Sequence, residues 1–534
     1  MWYQGLIFAA GVKECLECAR ISKPDLQFGA TFTSLQNPTV RSFFDFLEKQ
    51  WTYVPVLIFD SSGTSFHDIS RIIDNTLILH DCSKIKKFHI KSRSYSFTED
   101  SNSIAKLRFA LRKEVEELIL HFEYIERFLL PNFFFINASL VKLHVDTCIL
   151  KPNGRINWPH LKNLSIEGCW CPNQAIETAV SGSPLLESLK INFCDGFDQL
   201  VIASKSLKIL VLADMDEEFV LTISCPNLVE FCAFKSSGTT VRFCLSDGAI
   251  ENVLSGSPLL ELLELIDCEG FKLLVINSNS LKRLVLVGIP TDAIIISCPN
   301  LEELNLHSLY IKTIELINLP SSICATLDFD FSEAWYGENL GRMILEQFHN
   351  VKELKIGPCF IKRLSTMEMR GLSCPSLNNK CLTFDGGPNF VEHLRGIAYA
   401  LRSSPELEKL VITLRLIECS TDEDLPNLNV SAENYWNTNG IAFNCLVSHL
   451  KIVKIMGLSE KDDKLNPVLN FVEFLLKNGR VLEKMVVVLE DGASDFLFKV
   501  SQKLLDFPRY SKYAIVELLC SKLPSISKYS KHVV

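Results

Sequence analysis

The chain has 534 residues, 47% of them hydrophobic and 22% charged, with a formal net charge of -9. That length exceeds one ordinary globular core, so the chain is either several domains or a repeat array that grows in one direction. The composition excludes a disordered chain, and the acidic balance lacks the clustered Lys and Arg that nucleic acid would require.

Nineteen cysteines, an odd number spread along the whole length, do not make a disulfide framework. The opening MWYQGLIFAAGV lacks the basic start of a signal peptide. No later segment approaches the roughly 18 consecutive apolar residues of a membrane span. The expectation is a cytoplasmic or nuclear protein with free thiols and no membrane partner.

In chain order, residues 1–50 contain a lone C-x-x-C, Cys15 and Cys18. A zinc site needs a second ligand pair at suitable spacing, so these read as incidental cysteines and no metal is expected. The one notable basic cluster follows at Lys84, Lys86, Lys87, Lys91 and Arg93. It interleaves with Ile85, Phe88 and Ile90 in a strand pattern, which predicts the solvated side of a first repeat.

From there the phrase Leu-x-x-Leu-x-Leu recurs, as Leu161-K-N-Leu164-S-Ile166, Leu186-E-S-Leu189-K-Ile191, Leu207-K-I-Leu210-V-Leu212, Leu281-K-R-Leu284-V-Leu286 and Leu301-E-E-Leu304-N-Leu306. The same pattern fits at Ile85, Val115, Leu140, Leu260, Val351, Leu407 and Leu450. Its last three positions alternate apolar, polar, apolar, the two-residue period of a strand with one buried face. Starts fall 21 to 25 residues apart through 140–228 and 20 to 21 apart through 260–301. This spacing is that of leucine-rich repeats. Residues 181–212 and 255–286 share 21 of 32 positions without a gap, an internal duplication. Eight residues after the first apolar position stand Cys148, Cys169, Cys194, Cys268 and Cys359, at the Asn/Cys position expected to turn the chain beneath the strand. AIETAVSGSP and AIENVLSGSP predict short outer helices ended by Ser-Gly, with proline blocking continuation.

These repeats occupy 51–415. Residues 416–440 are polar, acidic and poorly periodic and read as a linker. A compact unit is expected over 441–534: a strand at Leu450–Ile455, a helix from Pro467 to Asn478 with Gly479 just beyond, a strand at Val481–Leu489, a helix at Ser494–Leu505 and a strand at Tyr513–Leu519. An array needs such an end piece to cover its open core. The predicted fold is an α/β leucine-rich-repeat solenoid, a curved parallel sheet with short helices outside, ending in a small α/β cap.

Cys445-L-V-S-H-L-K-I-V-K-I-M-Gly457 followed by Phe471-V-E-F-L-L-K-N-G-R-V-L-E-K-Met485 resembles the FBD signature of plant F-box/leucine-rich-repeat proteins. Gln502-K-L-L-D-F-P-Arg509 is similar to its closing helix and turn, and Trp51 to Asp60 and Leu77 to Ile90 to the segments that join the F-box to the first repeats. The resemblance covers roughly residues 51 to 520. Where the family carries the F-box, residues 1–50 hold a divergent segment ending in SLQNPTVRSFFDFLEKQ, with neither the Leu-Pro pair nor Ser-Lys-Arg-Trp. The resemblance implies a substrate-binding subunit of a Skp1–cullin–F-box type ubiquitin ligase, with a Skp1-like adaptor and a protein substrate as partners. A missing F-box implies the alternative, a stand-alone interaction protein or decoy.

No nucleotide loop, nucleophile elbow, H-E-x-x-H or kinase motif occurs, so no catalytic residue, cofactor or enzyme activity is expected. His144, in a polar strand position, reads as a surface residue. The candidate partner-binding residues, expected on a concave face, are Glu187, Ser188, Lys190, Lys282, Arg283, Glu302, Glu303, Asn305, Lys352, Glu353 and Lys355. Each lies between core-facing apolar positions, so geometry turns it outward.

Overall fold

A computed structural model describes residues 54–60, 66–92, 101–122, 127–215, 219–236, 242–328, 340–373, 375–386, 390–414, 436, 443–459, 465–490, 494–520 and 532–533. Residues 1–50, with Cys15 and Cys18, lie outside this set, as does Arg93. The chain divides into two compact units, Met1–Gly270 and Phe271–Val534.

The main ladder of the first unit is made of β1 (Val56–Asp60), β2 (Lys87–Ser92), β3 (Glu117–Phe122), β4 (Lys142–Asp146), β5 (Asn163–Glu167), β6 (Ser188–Asn192), β7 (Ile209–Ala213), β8 (Glu230–Phe234) and β9 (Leu262–Ile266). Successive strands pair in parallel and in register, for example Leu143 with Leu164 and Leu189 with Leu210. In the second unit the ladder runs through β10 (Arg283–Val287), β11 (Glu303–His307), β12 (Cys324–Asp328), β13 (Glu353–Ile356), β14 (Cys381–Gly386) and β15 (Lys409–Leu414). It continues through β16 (Ile452–Leu458), β17 (Lys484–Leu489) and β18 (Ile515–Cys520). All of these pair in parallel too.

The phrase Leu-x-x-Leu-x-Leu explains this ladder directly. Every first apolar position quoted above, from Ile85 to Leu450, is at most 4% exposed. In β6 and β11 the following positions alternate half-buried or exposed with buried, as a two-residue period requires. Burying each such leucine contributes about 1.5–3 kcal/mol, so stacking many repeats builds one continuous core.

The turn beneath each strand is taken one residue earlier than the cysteine. Thr147, Phe193, Asp214, Asp267 and Ser308 have φ between 48 and 54°, with Gly168 and Gly288 at 57 and 63° in the equivalent place. The cysteine then seals the strand end. The Cys169 thiol donates to the carbonyl of Glu167 at 3.1 Å and Cys194 to that of Asn192 at 3.3 Å, both side chains being buried. Burial pushes the Cys169 and Cys268 thiols well up, so they stay protonated. Cys359 departs from this role: it lies in the first turn of a helix, and its backbone N–H bonds the Asp328 carboxylate at 3.0 Å.

Outside the main ladder, helices Phe66–Leu79 and Ser101–Arg112 connect the first strands, and both predicted short helices form. AIETAVS forms α1 (Ala175–Ser181) and AIENVLSG lies in α2 (Asp247–Gly256). Other outer segments pair as short parallel strands, Gln199–Ala203 with Val220–Ser224, and Leu273–Asn277 with Ala293–Ser297 and Thr313–Ile317. Their alternating Leu, Ile and Val residues favour an extended chain. The glycine of Ser-Gly-Ser-Pro also has a different task from a left-handed cap. Gly182 has φ -78°, and an added Cβ would stand 2.2 Å from the carbonyl oxygen of Ile156.

Beyond β13 the connections are again long helices: α3 (Pro358–Met369), α4 (Phe390–Ser403), α5 (Leu465–Asn478) and α6 (Ser494–Asp506). The elements expected over 441–534 form at their predicted places, and β16 pairs directly with β15, Ile452 opposite Lys409. Most of 416–440 lies outside the described residues. Trp436 does not: only 5% exposed, its ring lies 4.6 Å from that of Phe471 and 5.0 Å from that of Phe474. Among the described residues, no helix is long and apolar enough to cross a membrane.

Candidate partner-recognition face

Each main-ladder strand sends alternate side chains into the core, leaving the intervening ones on one half-exposed face. Parallel register stacks equivalent positions into rows that run across the strands. Glu187, Ser188 and Lys190 lie together in the first unit, with Ser188 between Asn163 and Ile209 and Lys190 between Ser165 and Val211. The other eight candidates lie in the second unit. Arg283 stands opposite Glu303, and Asn305 between Val285 and Thr326. Glu353 and Lys355 follow opposite Cys324 and Thr326. Lys282, Glu302 and Lys352 are the exposed residues just before their strands.

Several of these candidates are already held by neighbouring side chains, and one pair of them, Arg283 and Glu303, by each other. Glu187 sits between Lys162 at 3.8 Å and Lys208 at 3.3 Å, Arg283 pairs with Glu303 at 2.9 Å, and Lys355 with Asp385 at 2.7 Å. The Cys324 thiol donates to Glu353 at 3.4 Å. Such exposed pairs contribute little to stability, about 0–1 kcal/mol each, but they fix where the charges stand. The basic cluster behaves the same way: Lys84 pairs with Glu116 at 2.7 Å, and Lys87 with Glu117 at 3.3 Å.

A second group on this face is invisible to sequence patterning because its members come from four strands. The Nδ1 atom of His121 meets the Asp146 carboxylate at 2.7 Å, and the rings of His121 and His144 stand 6.0 Å apart. Nε2 of His144 lies 4.0 Å from Glu167, whose other oxygen accepts a hydrogen bond from Asn192 at 2.8 Å. Burial, reinforced by His121, Lys190 and Lys142 and opposed by Glu167, lowers His144 to about 4. His144 is therefore neutral at pH 7 and half-buried, less a surface residue than its polar position suggests. Burial likewise raises Asp146 to about 6, against the pull of His121.

The two shifts act oppositely on stability. Between about pH 4 and 6.5 the unfolded chain holds more protons at His144 than the folded chain, so this group makes stability rise with pH. Asp146, bound to its proton longer in the fold, makes stability fall as pH rises from 3.8 to about 6. We expect His144→Gln to remove the first effect alone. The parent's unfolding free energy should then gain on the variant's by up to about 3 kcal/mol across that window, measured by urea unfolding at each pH. A difference that stays constant with pH contradicts the assignment.

With this geometry in place, comparison with known proteins is specific. The family model described as the LRR repeats of FBD-associated F-box protein At5g56370 matches residues 105–244 and 239–325, and the FBD model matches residues 442–487. The chain is a leucine-rich-repeat protein with an FBD domain. The FBD match spans β16, α5 and the start of β17, so the domain's strands are rungs of the second unit's ladder. Its homologues are F-box/LRR-repeat proteins of Arabidopsis thaliana. Putative F-box/LRR-repeat protein At3g18150 is 26% identical over 459 residues, covering 83% of this chain and 81% of the relative. F-box/LRR-repeat protein At5g02910 is 26% identical over 464 residues, covering 83% and 82%. F-box/LRR-repeat protein 25 is 31% identical over 170 residues, covering 30% and 62%. Likeness to this family suggests a protein-interaction scaffold.

Proposed function

We propose that this chain is the substrate-binding subunit of a Skp1–cullin–F-box type ubiquitin ligase, holding a protein substrate on the half-exposed face of its ladders. The observation that carries the reading is the row structure of that face: a rigid buried scaffold fixes the positions, while the outward side chains vary from strand to strand. Binding residues on a rigid frame favour recognition over chemistry. In this reading the chain itself catalyses nothing, and ubiquitin transfer belongs to associated enzymes. The names of the homologues support the ligase assignment.

The experiment is co-purification of the full chain with Skp1 and a cullin, beside a relative carrying an intact F-box. Recovery of both adaptors, with faster ubiquitin-dependent loss of bound proteins on overexpression, is the expected result. Proteins that bind and become longer-lived, with no Skp1 recovered, would replace the reading with a stand-alone interaction protein or decoy.

A further inference from the structure

Along the first unit the half-exposed face changes character at β7. On β4 to β6 it carries polar side chains such as Lys142, His144, Asn163, Ser165, Ser188 and Lys190. On β7 to β9 it carries Ile209, Val211, Cys232, Phe234, Leu262 and Ile266, all half-buried. The register sets them in three rows: Ile209, Glu230, Leu262; Val211, Cys232, Glu264; Ala213, Phe234, Ile266. With strands about 4.8 Å apart, the rows form an apolar patch about 10 Å across, room for one or two large side chains.

Two of the nine positions break the pattern, and both are glutamates. Elsewhere on this unit's face two glutamates are flanked by cations, Glu117 by Lys87 and Lys142, and Glu187 by Lys162 and Lys208. Neither Glu230 nor Glu264 has a cationic partner among the described residues. The Cys232 thiol lies between them and is hydrogen-bonded to Glu264. Burial, together with Glu264 and Glu230, pushes that thiol up to about 12. At neutral pH it is therefore an uncharged part of the patch and not a nucleophile. Covering this surface with a purely apolar partner would strip water from two carboxylates and leave them uncompensated. A partner that brings a cation with its apolar side chain avoids that penalty and gains pairing in a dry setting.

We infer that β7 to β9 form a docking site for a protein segment presenting an aliphatic or aromatic side chain beside a lysine or arginine. This rests on the recognition reading above and gives it a location and a partner chemistry. The complementarity is with charge: the patch fits neither an acidic segment nor a second copy of its own acidic surface.

The probe is a display library of random twelve-residue peptides, selected on the immobilised full chain. Peptides that join an apolar residue to Lys or Arg should dominate. Against the Glu230→Gln, Glu264→Gln double variant, which keeps side-chain shape, their affinity should fall about tenfold or more. The Glu230→Lys, Glu264→Lys variant should select acidic residues instead, and circular dichroism confirms that each variant remains folded. Selected peptides without basic residues, affinities indifferent to both variants, an empty selection, or self-association abolished by Glu264→Lys would each overturn the site. Peptides that respond to Lys190→Glu or Lys355→Glu but not to the glutamate changes would sink this site while leaving protein recognition standing. The Skp1 experiment has no bearing on any of these outcomes.

Discussion

Trp436→Ala is expected to destabilise the second unit by about 3–5 kcal/mol, the loss that follows from emptying a well-packed aromatic site. Its indole fills the space between Phe443, Phe471 and Phe474, the last two from one face of α5. That helix is buried through Val468, Leu469, Val472 and Leu475 as well, so a cavity beside it loosens the packing of the FBD strands. Urea unfolding followed by circular dichroism measures the change, with Trp436→Phe as a partner variant that should lose distinctly less. Equal stability of the alanine variant and the parent would mean that the tryptophan does not hold this core.

Gly256→Ala is expected to cost about 1–3 kcal/mol, although alanine is the better helix former. The added Cβ would lie 2.0 Å from the carbonyl oxygen of Ile223, and the Cys225 N–H bonds the Gly256 carbonyl at 2.9 Å. Neither backbone can move without breaking that hydrogen bond, so space decides the sign. Gly248, in the same helix, has open space around it, with nothing within 4 Å of an added Cβ. Gly248→Ala should therefore stabilise, by up to about 1 kcal/mol. Opposite signs for the two substitutions in thermal unfolding are the result that supports this packing.

The main ladder is readable from sequence because one physical rule, alternation with one buried face, repeats often enough to identify itself. Leu186, Leu189 and Ile191 face the core as their spacing demands. What sequence does not show is whatever depends on another turn of the chain. Gly182 and Gly256 look like helix stops, but neighbouring backbones at Ile156 and Ile223 make them necessary. Phe193 is the left-handed hinge of its turn, a conformation that its residue type does not announce. Trp436 is hidden in a polar stretch, although a tryptophan among Asn and Glu is itself a signal of burial elsewhere. The outer strands could have been anticipated from Ile294-I-Ile296 and Leu274-V-Ile276, which alternate no polar residue and suit a fully extended segment. The recognition face is harder still. Its rows join residues 20 or more positions apart, as Ile209, Glu230 and Leu262 are, so its chemistry emerges only once register is known.

On the reading proposed above, partners meet the half-exposed face of the ladders and not the outer helices. The most direct measurement is quantitative recovery of proteins bound by the full chain in plant cells, comparing charge reversals on the two sides. Lys190→Glu and Glu353→Lys change the face, whereas Glu177→Lys and Glu251→Lys change exposed positions on α1 and α2. At least tenfold loss of the recovered proteins is expected from the face variants, with parental recovery by the helix variants. Undiminished recovery by the face variants, with loss from the helix variants, would contradict it.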